Sequence, residues 1–237
     1  MGVGPEVLAP FLPSSLSGLA AWWAADKITG LSNGGTITTW SDSSGNGNTM
    51  TAAGTKPTWN TNVKNGLPAV SFGGAGYFTS SYAQNTAISV FVAGTNGGNG
   101  TFLGSITVTN PAGGYLLGSN GGTGAGNAIF QAASGTASWP STSVNAGAMG
   151  TTSAWNYLSG TTSAAAGSTL YLNGTSEGNA PTNGGIVAGP GLTIGALLYS
   201  GVEHQFLTGY IGEVIAYNRV LNSTELAQVH AYLSRWS

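Results

Sequence analysis

The chain has 237 residues, no cysteine and a formal net charge of −2, and only 5% of it is Asp, Glu, Lys or Arg, against about 25% in an average protein. That excludes disulfides, a thiolate nucleophile and Cys-based metal sites, and five scattered cations cannot form the basic stripe that nucleic acid or an anionic membrane requires. Forty Gly accompany 7 Trp, 9 Tyr and 7 Phe, so one folded all-β domain with Gly in its turns is expected rather than a disordered chain.

Residues 1–15 are broken by Pro5, Pro10 and Pro13 and carry Val7, Leu8, Phe11 and Leu12. They are expected to form an extended N-terminal arm ahead of a domain over 16–237. Its apolar side chains need cover, either from a neighbouring chain or from its own domain. The stretch has no basic residue, unlike a secretory signal, and Glu6 stands where myristoylation needs Ser or Thr. Synthesis in a cytoplasm without export is the expectation. No apolar run approaches the roughly 20 residues of a membrane-spanning helix.

Asp42, Ser44, Asn46 and Asn48 place oxygen-bearing side chains at alternate positions, as a calcium loop does. Only one of them is charged and no bidentate Glu follows, so a Gly/Asn turn stapled by Asp42 is the favoured alternative to bound Ca2+. Strands are expected at Thr36–Trp40, Pro68–Phe72, Ala87–Gly94, Thr101–Ile106, Tyr115–Ser119, Asn127–Ala133, Ala154–Gly160, Ser168–Thr175 and Gly191–Ala196. Asn173-Gly174 is a hairpin signal, since both residues tolerate positive φ. Ten or more short strands argue for two packed antiparallel sheets. Among the aromatic residues, Trp139, Trp155 and Tyr199 are the candidates for stacking on a sugar, with Trp59 and Tyr77 behind them; each has core packing as its rival role.

Two Gly-x-Ser-x-Gly strings, Gly30–Gly34 and Gly174–Gly178, lack the strand-to-helix setting of a nucleophile elbow. His204 and His230 are the only imidazoles, and His230 falls in a helix. The carboxylates Glu6, Asp26, Asp42, Glu177, Glu203, Glu213 and Glu225 are widely spaced and offer no pair for glycoside hydrolysis. No enzymatic activity is expected. Asn99, Asn173 and Asn222 begin Asn-x-Ser/Thr strings, which this composition produces by coincidence.

The C-terminal stretch is the most informative. Tyr210–Asn218 reads as a strand, Arg219–Leu221 as a turn, and Asn222 with Glu225 as a capping box that opens a helix. Leu221 and Leu226 form its hydrophobic staple, and Leu226, Val229, Leu233 and Trp236 recur at helical spacing. Glu213 is expected to pair with a backbone group or with Arg219.

Gly209, Ile211, Gly212, Glu213, Val214, Tyr217, Asn218, Arg219 and Leu221, followed by Tyr232, Leu233 and Trp236, resemble the closing strand and helix of laminin-G-like, concanavalin A-like jelly-roll domains. Leu16–Ile28, Trp40–Asn48 and Asn65–Phe72 are similar, in order, to the opening of bacterial and phage members. The resemblance implies an all-β, two-sheet antiparallel jelly-roll sandwich with one C-terminal α-helix. Related glucanases carry a Glu-x-Asp-x-x-Glu strand motif that is missing here. Relatives often place acidic residues after the strand that Phe72 ends, where this chain has Gly73-Gly74-Ala75-Gly76. The expected function is a non-enzymatic protein of a virion surface, such as a phage capsid decoration, head-fibre or tail-fibre part. Its expected partners are other virion proteins through the arm, further copies of itself, and glycans. A bacterial extracellular carbohydrate-binding or adhesion module is the alternative.

Overall fold

The computed structural model describes residues 10–83, 85–98, 100–107, 113–120, 126–133, 142–151, 153–181 and 191–237. Among them, nineteen strands form two sheets, and a single α-helix, Ser223–Leu233, follows the last strand. The first sheet runs Thr175–Ala180, Gly167–Leu172, Asn156–Ser163, Ile88–Asn96, Thr208–Tyr217, Leu67–Gly73, Thr58–Lys64, Gly35–Thr36. Leu19–Ala24 pairs with the second half of Thr208–Tyr217. The second sheet runs Thr142–Ala148, Asn127–Ala132, Gly113–Asn120, Thr101–Thr107, Thr193–Ile194, Gly76–Thr79, Met50–Gly54, Thr39–Trp40. A small hairpin, Leu197–Tyr199 with Val202–His204, joins this sheet beside Thr101–Thr107 through its one parallel pairing.

Side chains alternate across each strand, and the main core lies between the sheets. Trp23, Trp40, Phe72, Phe78, Phe102, Tyr115 and Phe130 fill it with almost no exposure. The central strand Ile88–Asn96 is buried throughout. Val90 and Val92 face the main core, whereas Phe91 and Ala93 face outward beneath the helix. Cover on both faces explains why Val90–Gly94 within it reads as a continuous apolar run.

The helix is built as its sequence indicates. The Asn222 side chain accepts from the Glu225 N–H, and the Glu225 carboxylate accepts from the Asn222 N–H. Leu226, Val229, Leu233 and Trp236 pack against Trp22, Phe91, Ile215 and Tyr217 on the outer face of the first sheet. Gly212 sits beneath Trp236, and a Cβ there would lie 2.5 Å from the indole. Only glycine lets the ring come that close. The segment from Pro10 to Leu16 lies back on its own domain: the Tyr217 hydroxyl donates to the Pro13 carbonyl, and Phe11 meets Tyr232 edge-on. The rest of the arm lies outside the described residues.

Two elements differ from expectation. Thr36–Trp40 is no single strand, because Gly35–Thr36 belongs to the first sheet and Thr39–Trp40 to the second. The chain changes sheets at Ile37, whose N–H donates to Pro57 of one layer while the Thr38 carbonyl accepts from Ala52 of the other. The expected strand Ser168–Thr175 ends at Leu172, and Asn173-Gly174, both at positive φ, make the tight hairpin turn that their sequence signals.

Candidate functional site

The outer face of the first sheet is only partly covered by the helix. Beside the helix runs a groove of about 780 Å³. Asn60 and Val63 line it from one strand, Ser71 and Phe72 from the next, then Thr208 and Tyr210, then Thr95 and Gly97. Asn33 closes it on one side, and Ser153 with Trp155 on the other. Because those four strands are neighbours in the sheet, the groove crosses them.

Local structure shapes both walls. The pairing of Thr58–Lys64 with its neighbour is irregular between Asn60 and Lys64, and Asn62 takes φ of 52°. Asparagine tolerates that left-handed conformation better than most residues, and such bulges re-aim side chains. The Asn33 carbonyl oxygen holds this wall by accepting from the Thr61 N–H and hydroxyl. On the opposite wall, the half-buried Trp155 stacks on Trp236, with ring centroids 5.2 Å apart and planes 14° from parallel. The closing helix thus fixes the groove's tryptophan.

Of the three aromatic candidates, Trp155 is therefore in the groove. Tyr199 lies on the opposite face of the sandwich, in a cleft of about 350 Å³ with Leu116, Gln131, Leu197, His204 and Gln205. It is 36% exposed and meets His204 edge-on. Trp139 lies outside the described residues. Trp59, by contrast, packs against the main core and donates to the Ala25 carbonyl. Tyr77 donates to Glu203.

The Asp42–Asn48 loop is a stapled turn. One Asp42 oxygen accepts from the N–H groups of Trp22 and Ser44, and the other from the Ser44 hydroxyl and the Asn48 N–H. A carboxylate has about four lone-pair sites, and all are used. Asn46 and Asn48 turn their amide N–H groups toward the carbonyls of Leu19 and Ala20. Asp42 thus braces the turn through two backbone N–H groups of the loop, the Ser44 hydroxyl and the neighbouring strand.

Glu213 differs from the sequence reading. It is fully buried and does not pair with Arg219. Its carboxylate accepts from the indoles of Trp22 and Trp236, the Tyr232 hydroxyl and the Arg235 guanidinium. Arg235 also binds Asp26 and lies 4.5 Å over the Tyr232 ring. Burial and the nearby carboxylate push the Tyr232 phenol up. Arg219 instead forms a two-pronged pair with Glu225, with both distances 2.7 Å. That pair, with the Asn222 N–H, holds the Glu225 carboxyl down to about 2.

A buried Ser–His contact was not foreseen. Ser159 Oγ lies 2.8 Å from His230 Nε2. Ser159 is only 1% exposed, and Phe91, Tyr157 and Tyr171 surround the imidazole. A nucleophilic pair needs an accessible serine and a group that orients the base, so this contact is structural. Burial pushes His230 down to about 4.

Residues 80–227 match the Laminin_G_3 family model of the concanavalin A-like lectin/glucanase superfamily. The chain belongs to that superfamily. Among solved structures, it is similar to domain 4 of a GH43 extracellular arabinanase from Geobacillus stearothermophilus, in complex with arabinotriose. The TM-score is 0.62 at 15% identity, covering 90% of this chain and 98% of that one. The CBM40 of the Ruminococcus gnavus IT-sialidase, bound to α2,3-sialyllactose, matches with TM-score 0.50 at 16% identity over 62% of this chain and 84% of that one. The receptor-binding domain of botulinum neurotoxin type G matches with TM-score 0.62 at 14% identity over 91% of this chain. The present chain spans about half of that domain, 51%. No curated protein matches by sequence. At these identities the likeness establishes the jelly-roll fold.

Proposed function

We propose that this protein is a non-catalytic, lectin-like domain that binds glycan in the groove beside its closing helix. The observation that carries the reading is the groove's lining. Trp155 and Tyr210 supply apolar faces, Asn33, Asn60 and Asn62 supply amides, and Ser71 and Thr208 supply hydroxyls. Sugar rings offer apolar C–H faces and many hydroxyls, so they call for this mixture of flat surface and neutral hydrogen-bonding groups. No Asp or Glu lines the groove among the described residues, which supports binding without glycosidic cleavage. The arabinotriose and sialyllactose complexes of similarly folded domains favour a glycan ligand as well.

The low charge and the hydroxyl-rich composition suit an outer surface. With the resemblance of the opening sequence blocks to phage members, they favour display on a virion, as a capsid decoration or fibre part. A single glycan site of this kind is weak, and many copies on one particle would multiply it by avidity. The same groove also fits a bacterial extracellular carbohydrate-binding module.

The test is a glycan array probed with the full-length protein and with Trp155→Ala. Saturable binding that falls about tenfold or more in the variant, a change of roughly 1.4 kcal/mol, is expected. A silent array from folded protein overturns the reading. Mass spectrometry of purified particles then decides the virion placement.

A further inference from the structure

We infer that the groove takes a linear, uncharged oligosaccharide laid across the strands, held along its length rather than by a charged end group. This rests on the glycan-binding reading above and narrows it to a ligand class.

The absence of charge is the first ground. None of the described residues lining the groove is Asp, Glu, Lys or Arg. A sialic or uronic acid brings a carboxylate, and stripping its water without a cation or several strong donors is unfavourable. Arg235 is tied to this region through Trp236, but its guanidinium is committed to Glu213 and Asp26. Redirecting it would leave Glu213 buried without its cation.

The groove's direction is the second ground. It spans four adjacent strands, from Asn60 through Ser71 and Tyr210 to Thr95. Three inter-strand spacings make about 14 Å, and the two walls at Asn33 and Trp155 extend it further. One sugar ring leaves most of that length empty. The polar groups are spread along it, with Asn62 at one side, Ser71 and Thr208 in the middle and Ser153 at the other. Neutral hydrogen bonds are individually weak against water, so affinity must build up over several units.

Calorimetry on the full-length protein tests this. The probes are a size ladder of neutral linear pentose and hexose oligosaccharides from the monosaccharide upward, together with lactose and α2,3-sialyllactose. Affinity should climb with chain length and then level off, should not change between low and high salt, and should be no greater for sialyllactose than for lactose. Trp155→Ala tests the site. Asn62→Gly, which keeps the left-handed backbone and removes only the amide, does so if the tryptophan variant fails to fold; it should weaken the longest neutral ligand severalfold. Sialyllactose binding tighter than lactose, or a monosaccharide binding as well as the longer chains, overturns the inference. If either occurs and Trp155→Ala abolishes it, the glycan-binding reading survives. If no sugar binds, both fall.

Discussion

Two buried side chains govern much of the chemistry at the residue level. The Glu213 carboxylate accepts from two indoles, a phenol and a guanidinium. Truncating one member of such a cluster strands the others, at about 3–5 kcal/mol. Glu213→Ala should therefore lower the urea midpoint far more than Glu177→Ala, whose partner is one backbone N–H at a sheet edge. Equal midpoints for the two variants would refute the cluster's role. His230 is buried neutral, with its pKa lowered from 6.5 to about 4. Between those values the unfolded chain binds a proton that the folded chain does not, so stability rises with pH across the window. The contribution is complete above about pH 6.5 and is lost as pH falls toward 4, on the order of 3 kcal/mol in all. Urea unfolding at several pH values should show this slope in the natural chain and a flatter one in His230→Gln; identical slopes would assign the effect elsewhere. The groove residues behave differently in one respect. Asn60, Ser71, Thr95 and Thr208 were invisible as a site, because Asn, Ser and Thr occur throughout this chain. Trp155 stood out only because large aromatics are scarcer.

Elements were legible where their signals are local. The helix start needs only Asn222 and Glu225, three residues apart, and the hairpin only Asn173-Gly174. Asn222→Ala should cost about 1 kcal/mol, and Gly212→Ala about 1–3 kcal/mol because its methyl must push Trp236 outward. Near-UV circular dichroism should separate the two, with indole signals disturbed in the glycine variant and preserved in the cap variant. The sheet change at Ile37 was illegible, since Thr36–Trp40 has the composition of one strand and the break depends on Pro57 and Ala52. The same holds for Glu213 and Trp22, which bond across 191 residues of chain. Arg219 lies six residues from Glu213 and equally close to Glu225, and it is Glu225 that binds it with both oxygens.

At the scale of the whole molecule, the jelly roll was readable from the order of motifs along the chain, and the family model matches residues 80–227. The groove arises only when the sheet, the bulged strand and the closing helix meet. The Asp42 loop likewise shows its purpose only in three dimensions, where it staples the first long strand through the Trp22 N–H and the Ala20 carbonyl. Chelator treatment should leave the melting temperature unchanged, whereas Asp42→Ala should lower it by several degrees, with or without calcium. A chelator-induced drop comparable to that of Asp42→Ala would restore the calcium reading.

The joining of Trp22 and Glu213 to Trp236 also bears on how the molecule is made. Translation delivers Trp22 well ahead of Glu213, and Arg235 and Trp236 after it. Until they leave the ribosome, the Glu213 carboxylate lacks its guanidinium and one of its indoles, so burying it is unfavourable. A chain broken off before Arg235 would contain every described strand yet leave Glu213 without its guanidinium and one indole. Closure of the cluster over the outer face of the first sheet is thus tied to a segment made after Glu213 itself.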